Sequence, residues 1–145
     1  MIEWFAHGAD FSHVDTVLPD GRLLGARSDR VGGAPPGVQI RNPDYVGQSV
    51  VLRVDLENAN ELESAAYYEF VKAQIGKPYD EEGILAFIAG RDWHDPQAWF
   101  CSELCTAALE ACHYFPYPIA TPSNKVTPPD LIALLSVLNL IKVPA

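Results

Sequence analysis

The apolar pattern changes its period once along this chain, at Asn58, and that switch limits the folds open to it. Before it, short β-branched runs are punctuated by turn residues. Ser12 to Leu18, the turn Pro19-Asp20-Gly21 and Arg22 to Arg27 predict a β-hairpin. Ser28 to Gly37 is a Gly/Pro-rich loop. Val38 to Arg41 and Ser49 to Leu56 are two more strand-like runs, parted by Asn42-Pro43-Asp44. After Asn58 the spacing is helical. Asn60 with Glu63 is a capping-box pattern, Leu62, Ala66, Phe70 and Ala73 recur along one helical face, and Gly76 suits the helix end. Gly76 to Ala98 is irregular, with a short helix expected around Ile84 to Ala89. A second helix is expected from Cys101 to Cys112, with Leu104, Ala108 and Ala111 or Cys112 on one face. Pro116 to Pro129 is a proline-rich connection, and Thr127-Pro128-Pro129-Asp130 opens a last helix. Strands early and helices late predict an α+β fold with a mostly antiparallel sheet. At 145 residues the chain reads as a single domain, 1–145.

Charge narrows the partners. Ten Lys and Arg stand against 19 Asp and Glu, a formal charge of −9. A nucleic-acid phosphate binder and a polybasic membrane-surface protein both need the opposite balance. The apolar run Leu131 to Val143 is interrupted by Ser136, Asn139 and Lys142 and is too short to span a bilayer. Met1 to Phe11 contains Glu3, His7 and Asp10 without a basic start, so no signal peptide is expected and a cytoplasmic setting is the default. Cys101, Cys105 and Cys112 are an odd number crowded on one segment, which favours reduced thiols over a disulfide framework.

The segment Trp99-Phe100-Cys101-Ser102-Glu103-Leu104 sets a cysteine at the expected start of a helix. Free backbone N–H groups and the helix dipole stabilise a thiolate there, and the same N–H groups can hold an oxyanion. The alternative is a small buried hydrophobe, the usual fate of an unpaired cysteine. Cys105 and Cys112 fit core packing. A zinc site from Cys105, Cys112 and His113 lacks any Cys-x-x-Cys or His-x-x-x-His pairing. Of the bases His7, His13, His94 and His113, His13 opens an apolar strand with Asp15 two residues on, and strand residues i and i+2 share a face. A carboxylate on one ring nitrogen leaves the other for a thiol. The pair reads equally as edge-strand residues facing water. His94 and His113 read as surface residues.

Two stretches together resemble the NlpC-type papain-like hydrolase superfamily, in the circularly permuted YiiX/YebB-like arrangement with histidine before cysteine. One runs from Ser12-His13-Val14 through Pro19-Asp20-Gly21 to Gly25-Ala26-Arg27. The other joins Gly76-Lys77-Pro78-Tyr79-Asp80 and Gly83 to Phe100-Cys101-Ser102-Glu103-Leu104. Thr127-Pro128-Pro129-Asp130-Leu131 resembles the opening of that branch's C-terminal segment. The resemblance implies a papain-like site where a helix N-terminus crosses an antiparallel sheet. It implies Cys101 as nucleophile, His13 as general base and Tyr79 as an oxyanion donor, although core packing would equally explain Tyr79. Many relatives carry a third polar residue at the position of Gly25. Glycine cannot orient an imidazole, so that role is expected of Asp15, with Gln39 in reserve.

The implied activity is hydrolysis of amide bonds by a thiol, without metal or organic cofactor, on a peptide-like or acyl substrate. Bacterial cell-wall peptides are the implied class. A phage-associated protein, an intracellular amidase and a thioesterase-like enzyme all fit. Two alternatives stay open. One is an acyltransferase or lipid hydrolase using the same Cys–His pair, since some permuted relatives resemble lecithin:retinol acyltransferase. There the helix from Leu131 to Ile141 would either line an apolar slot or close the core. The other is a non-catalytic binding module on the same fold.

Overall fold

The computed structural model describes residues 13–30, 33–46, 53–56, 58–82 and 97–138. It is a small α+β fold. Strands β1 (Thr16–Val17), β2 (Leu23–Arg27) and β3 (Gly37–Arg41) form an antiparallel sheet in that order, followed by helices α1 (Glu61–Ala73), α2 (Cys101–Ala111) and α3 (Pro128–Leu138). The expected hairpin is present. Leu18 N–H donates to Arg22 O (2.8 Å) and Gly21 N–H to Leu18 O (2.9 Å), with Gly21 at φ 86°, a conformation that favours glycine. Pairing in β1 is shorter than the expected Ser12–Leu18 run. His13, Val14 and Asp15 lead into the strand from outside its ladder, and Ser12 lies outside the described residues.

Register sets the core face. Leu24 lies opposite Ile40 and Ala26 opposite Val38, so period-2 alternation turns these side chains to the helices. Only part of the expected Ser49 to Leu56 run falls on described residues, and that part does not extend the sheet. Residues 49–52 lie outside the described residues, and 53–56 are irregular. Exposure alternates along 53–56, but Val54 and Leu56 meet their need for burial by packing on the second core cluster, without a ladder.

Helix α1 starts as expected. Glu63 N–H donates to Asn60 Oδ1 (2.8 Å), and Asn60 N–H to Glu63 Oε2 (3.0 Å). Its inward face keeps Phe70 of the expected Leu62–Ala66–Phe70–Ala73 stripe, packed on the first cluster, but not its ends, since Leu62 is 83% exposed and Ala73 is exposed. Tyr67, Val71 and Gln74 point inward instead. Tyr67 OH shares a hydrogen bond with Thr16 Oγ1 (2.7 Å), and Tyr68 OH donates to Val17 O (3.1 Å). Leaving Leu62 out forgoes about 2 kcal/mol of burial. Two anchored tyrosine rings and Val71 outweigh it.

Helix α2 is the centre of the molecule. Leu104 and Ala108 pack with Leu24, Ala26 and Val71 in one cluster, while Cys105 and Leu109 pack with Phe115, Leu131 and Leu135 in another. Burial on two sides leaves little of the helix to water, so that even Ser102, Glu103 and Thr106 are buried. Ala111 is exposed and Cys112 buried, which decides the open end of the expected face. Helix α3 opens on reciprocal bonds, Asp130 N–H to Thr127 Oγ1 (3.2 Å) and Thr127 N–H to Asp130 Oδ2 (3.1 Å). Its Leu131 and Leu135 close the second cluster, so one face of the described part of this segment packs as core, while Val137 is exposed. No described helix is long and apolar enough to cross a membrane. The short helix expected at Ile84 to Ala89 lies outside the described residues.

Candidate active site

The thiol is placed by backbone pairing that begins at the free edge of β3. Val38 N–H donates to Lys77 O and Gly76 N–H to Val38 O, both 2.9 Å. Gly37, at φ 110°, allows this approach, because a Cβ there would come 2.5 Å from Lys77 O. The chain then runs beside the residue preceding the nucleophile helix. Trp99 N–H donates to Pro78 O and Asp80 N–H to Trp99 O, both 3.0 Å, forming a parallel bridge between Tyr79 and Trp99. Trp99 Nε1–H is held by Gln74 Oε1 at 3.1 Å. Phe100 is extended and caps the helix, so Cys101 is its first residue, 1% exposed, with the backbone N–H groups of the first turn around it. Ser102 Oγ–H donates to Val126 O (2.6 Å) and ties this end of α2 to the segment before α3.

The imidazole arrives from the opposite edge of the sheet. His13 Nε2–H donates to Asp15 Oδ1 at 2.8 Å, the i, i+2 contact anticipated for an extended segment, and the two side chains are 17% and 8% exposed. The Cys101 thiol lies close enough to the ring to act on its charge. Because Asp15 occupies Nε2, Nδ1 is the nitrogen left for the sulfur. Burial works against a charged ring here. The Cys101 charge and the hydrogen bond to Asp15 outweigh it, and His13 is raised from 6.5 to about 10. The surroundings of the ring therefore favour its protonated form, with Asp15 as the acceptor at Nε2.

Tyr79 is buried, and its hydroxyl has no hydrogen-bond partner among the described residues. Burial, with the Cys101 charge adding to it, pushes the phenol well above its ordinary range, so it remains a donor. Gln39 pairs in register with Gly25, and among the described residues its side chain makes no hydrogen bond to His13. At Gly25 itself, a Cβ would run into Asp15 Oδ1. The carboxylate fills the space that a side chain on β2 would take. Asp15 is thus the residue that holds His13, Cys101 lies within electrostatic reach of both His13 and Tyr79, and Gln39 makes no hydrogen bond to the ring.

Two acids lie beside this backbone pairing, Asp80 next to Tyr79 and Glu103 in the first turn of α2. Asp80 and Glu103 are both buried. Glu103 Oε2 accepts Phe100 N–H (3.4 Å), but burial dominates and pushes the carboxyl up to about 8. The remaining candidates are spread out. Cys105 Sγ lies 3.8 Å from Thr16 Oγ1, Cys112 Sγ–H donates to Leu109 O (3.4 Å), and His113 is exposed. No group of three metal-ligating side chains occurs among the described residues. His7 and His94 lie outside them. No protein-family model, curated protein or solved structure matches this chain.

Proposed function

We propose that this protein is a thiol hydrolase of amide bonds, built as a permuted papain-like enzyme of the NlpC type. One observation carries the reading: the half-buried imidazole of His13 is held by the Asp15 carboxylate through Nε2 and lies within electrostatic reach of the Cys101 sulfur. A histidine kept only for packing needs neither partner. A general base needs both, one to exchange a proton with and one to fix its tautomer.

The chemistry follows from that arrangement. In the reacting pair the thiol proton resides on His13, and the thiolate attacks the substrate carbonyl carbon, forming the C–S bond. The negative charge on the carbonyl oxygen is met by the first backbone N–H groups of α2 and by the Tyr79 hydroxyl, whose hydrogen is not committed to any described partner. Collapse breaks the C–N bond while His13 protonates the departing amine. Water then attacks the thioester with His13 taking its proton. The acid product leaves and the thiol is restored. None of these steps calls on a metal or an organic cofactor.

The resemblance favours peptides of the bacterial cell wall as substrates. Acyl transfer to an alcohol or amine would use the same pair, but α3, where a lipid slot would be sought, has Leu131 and Leu135 engaged in the core. The test is hydrolysis of a panel of muropeptides and acyl esters by the wild type and by Cys101→Ala. Release of amine from a muropeptide by the wild type alone is expected. Equal hydrolysis by both proteins overturns the proposal. A wild-type thiol that iodoacetamide alkylates no faster in mild acid than a free cysteine would favour the binding module.

A further inference from the structure

We infer that the missing side chain at Gly25 is what seats the Asp15 carboxylate on His13, so that Gly25 is a positioning residue and the orienting role can be returned to position 25. The inference rests on His13 acting as the base proposed above.

Gly25 lies in the middle of β2, and its backbone gives no reason for glycine. The described glycines at positive φ are Gly21, Gly33, Gly37 and Gly76. A glycine inside a strand is unfavourable relative to alanine, because it has more freedom to lose and nothing to pack. The space around it supplies the reason. A Cβ at position 25 would collide with Asp15 Oδ1 and lie 3.0 Å from Asp15 Cγ, while the next nearest atom, Val14 O at 3.4 Å, is at ordinary contact distance. The obstacle is therefore the carboxylate alone, and it is the same oxygen that accepts from His13 Nε2. The strand cannot easily retreat. Residue 25 is paired with Gln39, and its carbonyl accepts from the buried Arg41 guanidinium at 3.0 Å. An added methyl must displace Asp15, and with it the hold on the imidazole.

This predicts a dependence that runs one way. Gly25→Ala should harm the site only while Asp15 is present. A polar side chain at position 25 should take over the role once Asp15 is removed. The experiment is a double-mutant cycle of Gly25→Ala and Asp15→Ala, with the exchange variant Gly25→Asn/Asp15→Ala added. Two readouts serve: the rate of Cys101 alkylation by iodoacetamide against pH, corrected with Cys101→Ala for the other thiols, and titration of the His13 ring by NMR. Gly25→Ala and Asp15→Ala should each slow alkylation at pH 6 by about 100-fold, the scale of a misplaced catalytic group. Their combination should be no slower than Asp15→Ala alone, and the exchange variant should regain about tenfold.

Additive losses, or a Gly25→Ala protein indistinguishable from wild type, overturn the inference. If Gly25→Ala alone does not fold but the double variant does, the collision with Asp15 is supported directly. If neither folds, position 25 matters for other reasons and the inference fails. A wild type that alkylates like a free thiol defeats the hydrolase reading instead, while non-additive His13 titration would still uphold the steric link.

Discussion

Cys101 and Cys105 sit one turn apart on the same helix, both almost fully buried, and their surroundings are opposite. Cys101 begins α2 and meets an imidazole backed by a carboxylate. Cys105 faces Thr16 Oγ1, which also bonds Tyr67 OH, and burial pushes its thiol up to about 12 despite those hydroxyls. The partners of both thiols come from one short stretch, His13 to Thr16. A shift of three residues along that stretch separates a basic partner from a neutral one. Burial and residue type are shared, so the place on the helix and what faces the sulfur are what set the two thiols apart.

The comparison is broken most directly by deleting each sulfur. Cys101→Ala should abolish turnover, with a loss on the order of a millionfold as for other nucleophiles. Cys105→Ala should keep its rate and cost about 1 kcal/mol of stability, measured by urea unfolding. If the second variant is the inactive one, the roles assigned here are reversed. His13→Ala comes next, with an expected loss of about 100-fold to 10,000-fold in kcat/KM. The same residue links pH to stability. His13 is raised from 6.5 to about 10 on folding, so its contribution is full below pH 6.5 and disappears as pH rises through about 10. Wild-type Tm should fall across that window by more than the Tm of His13→Ala does.

Tyr79→Phe separates function from stability. Losing an oxyanion donor should cost about 100-fold to 1,000-fold in kcat. Removing a buried hydroxyl that has no described partner should leave the fold as stable as before, or more stable by about 1 kcal/mol. A variant that loses stability and keeps its rate would make Tyr79 a packing residue. The smallest effect is expected at Glu103. Its carboxyl is raised from 4.5 to about 8, so stability present below pH 4.5 is lost as pH rises through about 8. Glu103→Gln should flatten that slope in a series of thermal melts.

The parts of the fold readable in the sequence were those written in local rules. Pro19-Asp20-Gly21 closes its hairpin, Asn60 and Glu63 cap their helix, and Thr127 with Asp130 opens another. The juxtaposition of His13 and Asp15 was legible for the same reason, since i and i+2 on an extended chain share a face. Tertiary preferences were not legible. The inward face of α1 is decided by where the Tyr67 and Tyr68 hydroxyls find Thr16 and Val17, not by its most regular apolar stripe. At 53–56, alternation looked like a strand because packing on a cluster demands the same period. The fit of Asp15 into the space above Gly25 depends on strand register, which no single segment encodes.

The pairing of residues 76–77 with β3 does more than lead the chain toward Cys101. A sheet rim left open can recruit a strand from another molecule and seed aggregation. Here one rim is occupied at Val38 by the protein's own backbone, and the other is a strand of two residues, too short to template much. Loosening the 76–77 tether, as Gly37→Val would by crowding Lys77 O, should therefore cost solubility as well as chemistry.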